Sequence, residues 1–354
     1  MWRLLFLFLA ITLPLVSSVY AETTTGSARV MIVHSYERDH VCGAPQAAGI
    51  VAALKKAGWS QGKNLEIRSY YMDTKKTHTT PEAIREQASI ALKQVEDFAP
   101  DIVMLLDDNA IREVMLPLVG RKDISLVFSG MNGQPEAYSE KKPFMRDKQR
   151  PGSNVTGVYE KLWVSKSLLV MNSALQNYDK SSQVVGITDY SPTGNAISRQ
   201  FELELAREDL PVAWKLRRVK DFSEYTQLIE ELNTNIEVVA IYPAALSLKT
   251  VDGSTYTARE IFNWTIANSK KPEMALNYHF AKIGLFGGAA VDFGAMGYLA
   301  GEKAALILHG KKAGDLPIED ARDYAIVFNT DRANALGIVI PDALLTAADH
   351  VYKK

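Results

Sequence analysis

Short apolar runs rich in Val and Ile alternate with longer stretches of helical period, and this rhythm restricts the fold more than any other feature of the chain. Residues 29–35 (RVMIVHS), 64–71 (NLEIRSYY), 101–106 (DIVMLL) and 124–129 read as strands. The helical stretches between them are residues 44–57, closed by Gly58, then about 81–98, and 110–118. Thr80 is placed to cap the second of these, with Pro81 at its first position. The rhythm then repeats. Strands are expected at 183–189 (QVVGITD), 212–219, 238–242 (VVAIY), 274–277, 283–286 and 324–328. Helices are expected at 164–178, about 193–209, about 222–232, 258–268 and 295–309, the last ended by Gly310. Such alternation implies βαβ units and parallel sheets covered on both faces, an α/β class. Between the two series lies a polar segment, residues 133–154 (GQPEAYSEKKPFMRDKQRPGSN), read as a surface excursion leading into a crossover.

Length and composition narrow this further. A chain of 354 residues suggests about two domains. Its 40 Lys and Arg against 41 Asp and Glu argue against a general nucleic-acid binder, which needs a basic surface. The single cysteine, Cys42, excludes an internal disulfide framework and a cysteine-based metal cluster. Residues 1–21 have the pattern of an export signal: a charged start at Arg3, an apolar run over 4–16, and Val19-Tyr20-Ala21 before a cleavage point. The apolar run is shorter than the roughly 20 residues a spanning helix needs. The mature chain is therefore expected to start at Glu22 and to be periplasmic.

Open parallel sheets bind ligands beyond the carboxyl ends of their strands. In the first series those ends carry Ser35-Tyr36, Asp73-Thr74, Asp107-Asp108-Asn109 and Ser129-Gly130-Met131-Asn132. In the second they carry Asp189-Tyr190-Ser191, Lys220-Asp221-Phe222 and Tyr242-Pro243-Ala244. Two such edges face to face would form a cleft for a small polar molecule. Plainer roles remain open. Asp108 or Asn109, Ser191 and Asp221 suit helix caps, and Tyr242-Pro243 suits a rigid turn. The adjacent carboxylates of Asp107 and Asp108 call for a nearby cation, either a ligand amine or Lys75, Lys76 or Arg112. No nucleophile elbow, phosphate loop, zinc-protease motif or dinucleotide fingerprint occurs, and the six histidines are scattered. An acid–base pair such as Asp107 and Asp73 would lack every companion group an enzyme needs. No catalytic residue, metal or cofactor is expected.

The strand-end motifs HSY (34–36), YYMDTKK (70–76), DDNA (107–110) and VFSGMN (127–132) resemble the substrate-binding family of ABC transporters that includes tryptophan-type binding proteins. They are most similar to the subgroup that also forms extracytoplasmic sensor regions of histidine kinases. AIYPAAL (240–246), residues 284–319 and residues 329–349 resemble the family's C-terminal half. The resemblance implies a type I periplasmic-binding-protein fold, with two α/β lobes hinged by crossover strands. Lobe one is expected at 28–154 plus 290–320, and lobe two at 155–289 plus 321–354. The binding residues implied are Ser35, Tyr36, Asp73, Asp107, Asn109, Ser129 and Asn132 from lobe one. Asp189, Tyr190 and Tyr242 would come from lobe two, with Glu160 by the hinge; Asp108 and Gly130 share the same strand ends. Where transporter-linked members carry a small-residue loop, this chain has Asp107-Asp108-Asn109, so a more acidic pocket is expected. The function implied is capture of a small polar, amine-bearing, amino-acid-like ligand by a monomer that delivers it to an ABC permease. The alternative is a sensor that docks on a membrane kinase or cyclase.

Overall fold

The computed structural model describes residues 27–353 apart from 148–149, 177–179, 207–208, 246 and 251–252. The expected export signal and its cleavage point lie outside the described residues. The first half follows the expected rhythm. Strand β1 (Ala28–His34) leads to helix α1 (Gly43–Lys56), β2 (Leu65–Tyr71), α2 (Pro81–Phe98) and β3 (Ile102–Leu106). Thr80 caps α2 by accepting from the Ala83 amide at 3.2 Å, in keeping with its position before Pro81. Helix α3 (Asp107–Ala110) passes through a π-helical turn (Ile111–Met115) into α4 (Leu116–Leu118). Then come β4 (Ser125–Met131), the short helix α5 (Pro135–Lys141) and β5 (Val155–Tyr159).

The second half runs α6 (Val164–Leu175), β6 (Gln183–Asp189), α7 (Pro192–Leu205), β7 (Ala213–Val219), α8 (Phe222–Thr234) and β8 (Val238–Pro243). A hairpin of β9 (Ser247–Lys249) and β10 (Thr255–Thr257) precedes α9 (Ala258–Asn268) and α10 (Tyr278–Ile283). The chain ends with β11 (Gly287–Val291), α11 (Phe293–Leu308), β12 (Glu319–Asp320), β13 (Tyr324–Asn329), α12 (Thr330–Ala335), α13 (Asp342–Ala347) and β14 (His350–Tyr352). Two expected strands are corrected here. Residues 283–286 form no strand: α10 ends at Ile283, and the strand is β11, just beyond. Residues 274–277 make only isolated bridges, Met274 to Gly287 and Asn277 to Val291.

The strands assemble into two sheet systems. One is a six-stranded parallel sheet in the order β12-β5-β4-β3-β1-β2. The other comprises β7-β6-β8 and β11-β13-β14, joined by the bridges of Glu273 to Ile241 and Met274 to Gly287. The chain passes between the systems three times: after Tyr159, between Val291 and Phe293, and between Asp320 and Tyr324. Strand β5 therefore pairs with β4 in the first sheet, and Glu160 begins the first passage.

Close packing at two places sets the frame of the molecule. Helices α1 and α11 meet backbone to backbone at Gly297, where an added Cβ would lie 2.1 Å from the Gln46 carbonyl. That close approach fixes Gln46, which is fully buried. In the second system Arg332 on α12 reaches the buried Glu273. Its Nε donates to Oε2 at 3.0 Å, and its Nη2 donates to Oε1. Arg332 also donates to the carbonyls of Ile266 and Ser269, both at 2.9 Å. The ion pair thus ties a helix, a loop and the middle of the sheet together. No helix among the described residues is long and apolar enough to cross a membrane.

Candidate functional site

The carboxyl ends of β1, β2 and β3 converge through Ser35, whose carbonyl accepts from Thr74 after β2. The Ser35 hydroxyl donates to the Leu106 carbonyl at 2.7 Å and accepts from the Ala110 amide at 2.8 Å. This locks the start of α3 onto the end of β1. The chain turns there at Asp107, whose φ is +66°, and a second aspartate, Asp73 after β2, has φ +50°. Left-handed backbone at a non-glycine residue stores strain, and it clusters at working sites.

Asp107 is 3% exposed. Its Oδ1 accepts from Gln46 Nε2 at 3.2 Å, and its Oδ2 has no hydrogen-bond partner. Gly130 lies against both groups: a Cβ there would sit 2.8 Å from Asp107 Oδ1 and 3.1 Å from the Gln46 amide. Gln46 Oε1 and the buried hydroxyl of Ser129 also lack partners. Burial pushes the Asp107 carboxyl up to about 7, with the field of Lys75 opposing and that of Asp108 adding. Glu160, where the chain leaves β5, is 3% exposed. Burial raises its carboxyl well above the usual range, and Asp107 and Asp108 raise it further. Lys75 and a hydrogen bond from the Asn132 side chain oppose that rise.

Asp108 has a different task. Its Oδ1 accepts from the amides of Asn132 and Gly133, both at 3.3 Å, and from the Tyr138 hydroxyl at 2.5 Å. The polar segment 133–154 is thus partly folded down: α5 is tethered beside the acidic group, and Phe144 is buried. Asn109 does not cap a helix. Its amide donates to Thr74 Oγ1 at 2.8 Å and its carbonyl accepts from Arg112 at 2.5 Å. Arg112 also pairs with Glu113, so Lys75 is the cation whose field reaches Asp107. The Lys75 ammonium lies 3.9 Å from the centre of the buried Tyr36 ring, which also packs on His40. Asp73 accepts from Thr77 at 2.5 Å through Oδ2, while its buried Oδ1 has no partner.

The edge of the second system faces these groups through α7. Gln200 donates to the Asn132 carbonyl at 3.1 Å, a direct bond between the two systems. Glu204, one turn on, accepts from the amides of Leu162 and Val164 at 2.7 and 2.8 Å and so fixes the first passage. Tyr242 is fully buried against Phe201 and Trp214, and its hydroxyl has no partner. The fields of Glu204 and Glu160 add to burial in raising that hydroxyl, which places it near both. Asp189 is buried and accepts from the Ser191 amide at 2.8 Å. Tyr190 is 53% exposed, under the Arg218 guanidinium at 4.0 Å. Ser191 and Asp221 cap α7 and α8.

Among the expected residues, Tyr36, Asp107, Asp108 and Glu160 lie within one another's fields, Asn132 hydrogen-bonds Glu160, and Gly130 lies against Asp107 with Ser129 next to it in sequence. Ser35 and Asn109 hold the frame of this group. Asp189 and Tyr190 stand at the opposite edge. Gln46, Tyr138, Gln200 and Glu204 are additions that sequence reasoning misses. Gln46 has a signal: it falls in the same helical register as Gly43, Ile50 and Ala53, the buried face of α1.

The sequence pattern of a family described as ABC transporter substrate binding protein matches residues 39–352. A tyrosine-binding protein of Clostridioides difficile (strain R20291) is 22% identical over 288 residues, spanning 81% of this chain and 75% of that one. An ABC domain from Streptococcus pneumoniae, solved in complex with L-Trp, is similar over 92% of this chain and 100% of that one, with TM-score 0.68 and 18% identity. A conserved domain protein from Vibrio cholerae O1 biovar El Tor covers the same shares, with TM-score 0.67 and 21% identity. These likenesses show the architecture, a type I periplasmic-binding-protein fold.

Proposed function

The chain belongs to the ABC transporter substrate-binding protein family, and on that premise we propose that it is an exported, periplasmic protein that closes two lobes around a small polar, amine-bearing solute and delivers it to an ABC permease. The observation that carries this reading is the buried group of Asp107, Gln46 and Ser129, whose unpartnered polar atoms lie where parallel sheets bind ligands. Buried polar atoms without partners are rare in stable proteins, and a ligand that satisfies them gains their full hydrogen-bond energy. An ammonium group suits an unpartnered carboxylate oxygen beside an amide oxygen and a hydroxyl. The tyrosine-binding relative and the tryptophan complex support a solute of amino-acid size.

The lobes are one sheet system each: the expected 28–154 plus 290–320 becomes about 28–159 plus 292–320, since β5 pairs with β4, and the expected 155–289 plus 321–354 becomes about 160–291 plus 321–354, since β11 pairs with β13. The hinge lies at residues 160–163, 291–293 and 320–324. Gln200 and Asn132 meet across it. Members of this family act by binding rather than turnover, and the acidic group is assigned no catalytic step. Export rests on the signal pattern over residues 1–21, and the protein acts as a monomer. Capture precedes both delivery and sensing. Permease and ATPase genes beside this one favour delivery, whereas a two-component or cyclic-nucleotide gene favours docking on a membrane kinase or cyclase.

Thermal-shift screening of residues 22–354 against amino acids, amines, nucleosides and small peptides tests the proposal. One amine-bearing class should raise Tm by roughly 5 °C or more at saturation, with contraction in small-angle scattering as the lobes close. No stabilisation across the panel would overturn it.

A further inference from the structure

The charges around the buried site do not balance, and their sum identifies the ligand more narrowly than its size does. Three carboxyl groups act on one another there: Asp107, Asp108 and Glu160. Asp108 is held by two amides and a tyrosine hydroxyl, none of which brings a charge. The cation whose field reaches both Asp107 and Glu160 is Lys75, an exposed side chain resting on the Tyr36 ring. The nearby His40 ring is held neutral by burial, and its Nδ1 accepts from the Cys42 amide at 3.2 Å. On the second edge, Arg218 spends its Nη2 on the Asp189 carbonyl and on Asn195, while its buried Nε has no partner. Glu204 is occupied by two backbone amides.

Most of the unpartnered atoms at the strand ends point the same way; the donors among them, Trp163 Nε1 and Arg218 Nε, belong to the first passage and the second edge. Gln46 Oε1, Asp73 Oδ1, Asp107 Oδ2 and Gln200 Oε1 are buried and can only accept. Ser129 Oγ and Tyr242 Oη can do either. With Glu160 protonated, Asp73, Asp107, Asp108 and Lys75 sum to two negative charges. A cation brings the site toward neutrality. A zwitterion leaves that charge uncompensated, and adds a desolvated carboxylate beside three carboxyl groups that repel it.

Resting on the binding reading above, we infer that the solute is a net cation: a primary amine, diamine or guanidino-amine without a free carboxylate. This separates the chain from a tyrosine- or tryptophan-binding relative, whose ligand is a zwitterion. Asp107 with Gln46 and Ser129 takes the ammonium. The remaining acceptors, Asp73 and Gln200, suit further donors on the same molecule.

Calorimetric titration of the mature protein with four matched pairs tests this: tyrosine and tyramine, tryptophan and tryptamine, arginine and agmatine, lysine and cadaverine. In the pair that binds best, the amine should bind at least about tenfold tighter than its acid. Asp107→Asn should collapse that ratio toward one. An acid that binds as tightly as its amine, or more tightly, overturns the inference and leaves the solute-binding function standing. Binding by none of the eight, with a sugar, nucleoside or dicarboxylate binding instead, overturns both this inference and amine capture.

Discussion

Replacing Asp107 by asparagine should weaken binding of the amine ligand by roughly 100-fold and remove most of its pH dependence. The side chains are nearly the same size, so packing against Gln46 and Gly130 persists while the charge goes. In the native protein, burial holds the carboxyl at about 7 against an ordinary 3.8. A cation binds the ionised form and competes with the proton. Affinity should therefore rise as pH climbs from 5.5 toward 7 and level off above it, by on the order of tenfold over that range. Stability of the ligand-free protein runs the other way. Between 3.8 and 7 the folded state keeps a proton that the unfolded chain has released. The contribution of Asp107 to stability is thus fully present below 3.8 and lost as pH rises through 7. Asp107→Asn should abolish that loss and leave a protein more stable at pH 8 than the native chain. Titration calorimetry and urea unfolding, each at pH 5.5 and 8, check the two halves; a native affinity independent of pH would contradict both.

The second large effect concerns stability alone. Arg332→Met should destabilise the protein by about 3–5 kcal/mol, because it leaves Glu273 buried without its countercharge. Glu273 is fully buried and bridges β8 to the residues that lead to β11, so the loss falls in the middle of the second sheet system. The deficit should shrink at low pH, where the stranded carboxyl takes up a proton. A double variant, Glu273→Met with Arg332→Leu, should recover much of the loss, since an apolar pair of similar volume needs no compensation. Urea unfolding of the two variants decides this: a single variant within 1 kcal/mol or so of native would contradict the role given to the pair.

The parts of the fold that can be read from sequence are those where local signals and packing agree. Strand β6 and helix α9 fall where expected, residues 183–189 and 258–268, because a branched apolar run and a capped amphipathic stretch each announce themselves. Strand β11 escapes for a physical reason. Its sequence, GGAAV, has almost no side chain to signal burial, because α6 and β13 lie too close for one: a Cβ on Gly288 would sit 2.6 Å from Ser167 Oγ, and one on Gly287 2.0 Å from the Val327 carbonyl. Apolar periodicity points to residues 283–286 instead. Helix α10 is hidden likewise, since six residues capped by Asn277 are too few to show a period.

The strand-end rule alone brings Asp107, Gly130 and Ser129 to one edge. It cannot supply Gln46, which belongs to a helix, nor Tyr138, which sits in a segment whose Lys, Arg and Pro content reads as solvent-exposed. Both reach the site only through tertiary packing: Gln46 by the α1–α11 approach at Gly297, Tyr138 by folding back onto Asp108.

The most direct test of the account is a crystal structure of the mature protein with the tightest-binding amine. The ligand's ammonium nitrogen should lie within about 3 Å of Asp107 Oδ2, with Gln46 Oε1 or Ser129 Oγ as a second acceptor. A ligand seated elsewhere, or one whose ammonium makes no contact with Asp107, would contradict it.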